Sequence, residues 1–163
     1  MGLDMYLEQH HYYGGEFRDQ DYHKEGHTLE LGGKFVKDEG IKTSKVNSIV
    51  TKVAYWRKAN QIHEWFVENI QDGNDNCQPH HLNESYLTDL LALCKEVKTH
   101  IAKKEFDQIE EKLPSREGFF FGPTEVHDEW YAENIDNTIE QLSAIADSDG
   151  KISSGDYYYQ SSW

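Results

Sequence analysis

Residues 53–70, VAYWRKANQIHEWFVENI, constrain this chain more than any other stretch. Plotted at about 100° per residue, Tyr55, Ala59, Ile62, Phe66 and Ile70 fall at the centre of one apolar arc, which Trp56 and Val67 widen. Arg57, Gln61, Glu64 and Glu68 fall opposite, on the face that belongs to water. The spacing predicts a single amphipathic helix stopped by Gly73. His63 lies inside the apolar arc and Asn60 at its edge. Burying an imidazole and an amide costs free energy unless both are hydrogen-bonded, and an apolar arc supplies few partners. Other elements must therefore satisfy them.

The remaining segments sort by period. The opening MGLDMYLEQHHYY alternates Leu3, Met5 and Leu7 with Asp4, Tyr6 and Glu8, the signature of a strand with one buried face. Residues 14–50 are polar and glycine-rich; they read as a mobile insertion or as a hairpin of residues 28–31 and 34–37 turning at Gly32-Gly33. Asn83 is placed to cap a second helix, in which Leu87, Leu90, Leu91, Cys94, Val97 and Ile101 step by three and four. FDQIEEKL reads as a helical turn ending at Pro114, and residues 118–122, GFFFG, as a short strand. Thr124 can cap a third helix with Tyr131, Ile135, Ile139, Leu142 and Ala146 inward. Residues 147–155 form a linker loop, and the tail from Asp156 to Trp163 has the aromatic content of a last strand.

That order predicts an α+β fold in one domain of 163 residues. About three helices pack on a small mixed or antiparallel sheet. Both terminal strands lie near the sheet centre, since neither carries the Lys or Pro that blunts an edge.

The formal charge is −14, and residues 105–149 hold thirteen acids against Lys112 and Arg116. Nucleic-acid backbones and membrane surfaces are anionic, so direct binding to either is disfavoured. Such a face either solvates the protein or occupies a basic surface on a partner. No apolar run is long enough to span a bilayer, no signal peptide opens the chain, and two cysteines, Cys77 and Cys94, do not make a disulfide scaffold. A cytoplasmic protein is expected.

The blocks MGLDMYL, YWRKANQIHEWFV, LLALCKEV, LP…GFFFG with a following DEWY, and YYYQSSW resemble a family of uncharacterised small proteins found in bacteriophages and bacteria. They cover about half the chain. The resemblance implies a phage or prophage accessory protein and carries no activity with it. Residues 14–50 and 147–155 depart from the family pattern.

Three readings of function follow. In the first, Trp56, Arg57, Asn60 and His63 meet Tyr6, Tyr158, Gln160 and Ser162 around a pocket. Aromatic walls with a few convergent polar groups suit a small polar or phosphorylated, nucleotide-like ligand bound without catalysis, as a phage protein countering host defence signalling would do. In the second, the acidic third helix blocks a basic host protein. In the third, His63 is a general base oriented by Asp4, with a tail serine as nucleophile; no Gly-x-Ser-x-Gly elbow, phosphate loop or dinucleotide fingerprint supports this, and no cofactor is implied. The alternative to all three is a closed internal network around His63. His10, His11, His23 and His27, and Cys77 with His80 and His81, lack the paired spacing of a zinc site. Residues 147–152, with Asp156 at the last ligand position, match a calcium loop only in part, since Ile145 would stand at the first.

Overall fold

A computed structural model describes residues 2–12, 30–31, 34–35, 48–116 and 125–163, with backbone alone at 30–31 and 34–35. The chain divides into two compact units, residues 1–9 with 52–163, and His10–Thr51. In the smaller unit, β2 (Glu30–Leu31) and β3 (Lys34–Phe35) pair antiparallel, as the hairpin reading requires. Its Gly32-Gly33 turn lies outside the described residues.

The larger unit is α+β. Within it, residues 4–9 of β1 (Asp4–Tyr12) and 52–57 of β4 (Ser48–Arg57) join β5 (His80–Leu82) and β6 (Asp156–Ser162) in one sheet of order β4-β1-β6-β5. The two terminal strands are its inner pair. β5 pairs antiparallel with β6, placing His80, His81 and Leu82 opposite Tyr159, Tyr158 and Tyr157. At the other edge, the Lys58 N–H donates to the Leu3 carbonyl at 2.8 Å, tying the end of β4 to the start of β1.

The helices are α1 (Asn60–Ile70), α2 (Glu84–Lys103), α3 (Phe106–Lys112) and α4 (Glu129–Ser143). Leu3, Met5, Leu7, Ala54, Trp56, Tyr157 and Tyr159 from the sheet share one core with Ile62, Phe66, Leu90, Cys94, Ile135 and Leu142 from the helices. α2 packs against both α3 and α4. The predicted stripe of α2 is buried from Leu87 to Val97, and Ile101 packs at its margin.

Two expectations need correction. Residues 53–57 belong to a strand, not a helix. Ala54 and Trp56 are buried while Tyr55 and Arg57 are exposed, which is a period of two, and β1 supplies the pairing partner. Lys58, at φ 56°, then takes the left-handed turn that separates β4 from α1. Gln61, placed in water by the wheel, is buried, and its Nε2 donates to the Tyr131 carbonyl at 3.3 Å. The second correction concerns α4. It starts at Glu129 with Asp128 as its N-cap, and the Asp128 carboxylate accepts the Glu125 N–H at 3.0 Å, closing a turn just ahead of the helix. Thr124 and the strand expected at 118–122 lie outside the described residues.

Residues 147–155 are held more firmly than a linker. Asp147 Oδ1 accepts the N–H groups of Asp149 and Lys151, each at 2.9 Å, Gly150 turns at φ 80°, and Ala146 bridges Ile152.

Candidate functional site

The eight residues singled out by sequence do not meet at one place. Trp56, Asn60 and His63 face the core, whereas Tyr6, Tyr158, Gln160 and Ser162 alternate with buried Met5, Leu7, Tyr157, Tyr159 and Ser161 and leave from the opposite face of the sheet. Arg57 is exposed at the end of β4. The expected pocket had assumed that Trp56 and Arg57 were helical. As strand neighbours they point to opposite sides.

His63 is 0% exposed. Its Nδ1 lies 2.7 Å from the Tyr159 hydroxyl and its Nε2 lies 3.2 Å from Asp75 Oδ2. A neutral ring fits both: the phenol donates to Nδ1, and Nε2–H points at the carboxylate. Burial holds the imidazole below its ordinary 6.5, Asp75 opposes that shift, and Arg116 adds to it. Tyr159 also stacks on Phe66, with centroids 3.9 Å apart and planes 6° off parallel. Burial drives its phenol well above the ordinary range.

Asp75, in the loop between α1 and β5, was not legible as the partner of His63. It is 24% exposed, and its Oδ1 also accepts the indole N–H of Trp163 at 3.4 Å. The same loop accepts Gln160 Nε2 on the Cys77 carbonyl at 2.9 Å and the Ser161 hydroxyl on the Asn76 carbonyl at 3.4 Å. Gln160 therefore fastens this loop to β6.

The other inward residue, Trp56, donates its Nε1–H to Thr138 Oγ1 at 2.9 Å, and that hydroxyl donates to the Asn134 carbonyl at 2.7 Å. On the outer face, Tyr55 donates its hydroxyl to Asp4, and its ring lies 5.4 Å from Tyr6. Lys52 Nζ stands 4.5 Å above the Tyr6 ring, and His81 meets Tyr158 at 5.3 Å. Asp4 is thus engaged across the sheet from His63, where it cannot orient the imidazole.

Among the described residues, no group of three or more His, Cys, Asp or Glu is placed to hold a metal ion, and no helix is long and apolar enough to cross a membrane. Burial pushes the Cys94 thiol up to about 12, which leaves it an inert core side chain.

Exposed aromatic rings are spread over several elements, among them Tyr12, Tyr55, Tyr86 and Trp163. Phe106 opens α3 at 37% exposure, and its ring lies 6.0 Å from the ring of His127, itself 58% exposed and paired through Nε2 with Glu125 at 2.9 Å. Three residues later Trp130, in the first turn of α4, is 57% exposed. Around it stand exposed Glu125, Glu129 and Glu133. Of the bases on neighbouring elements, Lys112 pairs with Glu96 at 2.9 Å, Lys98 with Asp136 at 2.7 Å, and Arg116 with Glu64. A signal for Trp130 existed in the sequence, since it falls about 100° off the arc that runs through Tyr131 and Ile135.

No model of a known protein family, no curated protein and no solved structure matches this chain.

Proposed function

We propose that the chain is a non-catalytic interaction protein that covers a basic surface of a partner protein with the acidic, aromatic face of α3 and α4. The observation that carries this reading is Trp130, more than half exposed among carboxylates. Tryptophan is enriched among the residues that anchor protein interfaces, and neighbouring carboxylates favour a cationic counterpart. The enclosed bonding of His63 argues for a role in holding the core, and so against both a ligand pocket at that ring and general-base chemistry there. The resemblance to bacteriophage proteins makes a host protein, met in the host cytoplasm, the natural partner.

Calorimetric titration with a Lys/Arg-rich polypeptide tests this reading. Binding is expected at about 50 mM salt and loss of most of it at about 500 mM, where screening shortens the reach of exposed charges. The reading fails if no heat is released at low salt, or if nucleotides and phosphorylated metabolites raise the melting temperature while the basic polypeptide leaves it unchanged.

A further inference from the structure

On the same face, we infer that the unit recognised is an arginine side chain, stacked on the indole of Trp130 and held by the neighbouring carboxylates of α4. This rests on the interaction reading above and names its chemistry.

Residues 125–143 carry Glu125, Asp128, Glu129, Glu133, Asp136 and Glu140 and no Lys or Arg. Glu133 follows Trp130 by three positions on α4, the spacing at which helix neighbours stand side by side about 5–6 Å apart at Cβ. Both are exposed. A cation held there can lie over the indole face and reach a carboxylate together.

Guanidinium suits that pair better than ammonium. It is planar, so it stacks on an indole; it offers parallel N–H donors, so it can grip a carboxylate with two bonds; and it is more weakly hydrated, so covering it costs less. Phe106, exposed at the start of α3 and edge-on to His127, offers a further ring to the aliphatic part of a bound segment. Lys103 and Lys104 close α2 just ahead of Phe106, and so set a limit to the acidic field on that side. The occupant is therefore a basic segment of another protein that presents arginine toward α4.

The experiment compares two labelled peptides of equal length and charge, one built on arginine and one on lysine, by fluorescence anisotropy against the full chain. Wild type is expected to hold the arginine peptide about tenfold tighter. Trp130→Ala, at an exposed position, is expected to keep the wild-type circular dichroism and erase that preference, while Glu129→Gln with Glu133→Gln weakens both peptides. Equal, salt-sensitive affinity for the two peptides in wild type would overturn the arginine inference and leave the basic-partner reading standing. Binding of neither peptide would overturn both. A preference that survives Trp130→Ala would overturn the stacking on the indole.

Discussion

At the scale of single residues, His63 links α1 to β6 and to the loop that follows α1. It sits on α1, takes a bond from the Tyr159 hydroxyl of β6 and faces Asp75 of the following loop. Replacing it by glutamine shortens the reach to at least one of these groups and leaves a buried polar atom short of a partner, at a cost of about 1–3 kcal/mol. Chemical denaturation of His63→Gln is the check. The pH dependence has a definite sign. Because burial lowers the folded-state pKa of the ring below 6.5, the unfolded chain binds a proton at His63 that the folded chain does not. The contribution is complete above about 6.5 and is lost as pH falls through that value towards the folded-state value. Wild type is expected to lose stability on this account between neutral and mildly acidic pH, and His63→Gln is expected to show a shallower decline. Parallel profiles would contradict the assignment.

At the scale of elements, the β4 edge shows how α4 protects the sheet. The Gln141 side chain accepts the Tyr55 N–H at 2.7 Å and donates to the Tyr55 carbonyl at 3.0 Å, standing in for a further strand at that register. An uncovered edge presents unpaired backbone groups to other chains. Gln141→Ala is expected to speed hydrogen exchange of the Tyr55 amide and to lower stability by about 1 kcal/mol, the net worth of such bonds in a partly wet setting. Unchanged exchange at Tyr55 would show that the cap does not matter.

Elements also decide what sequence could reveal. α2 was legible because six apolar residues step by three and four with no competing period. The terminal strands were legible from alternation and aromatic content, and their central place from the lack of edge-blunting residues. Residues 53–57 were not. Ala54 and Trp56 satisfy a helical arc and a strand face alike over so short a run, and the choice fell to pairing with β1, some fifty residues earlier. The burial of His63 and Asn60 was correctly read from the wheel. Their surroundings were not, since Asp75 sits in a polar loop whose spacing says nothing about where it folds back.

At the scale of the whole molecule, charge and chemistry separate. Two buried hydrogen-bonded pairs, His63 with Tyr159 and Trp56 with Thr138, lie inside, and exposed carboxylates lie on α3 and α4. The outer sheet face, with Tyr6, Tyr55, Tyr158, Lys52 and Asp4, mixes both charge signs and sets no comparable field. Two-dimensional amide spectra of the labelled full chain, titrated with an arginine-rich peptide, test the central claim most directly. Shifts are expected at residues 105–107 and 125–133, with α1 and the loop at 71–79 unmoved. Shifts confined to α1 and that loop would contradict the account, for the binding surface would then be the one built around His63.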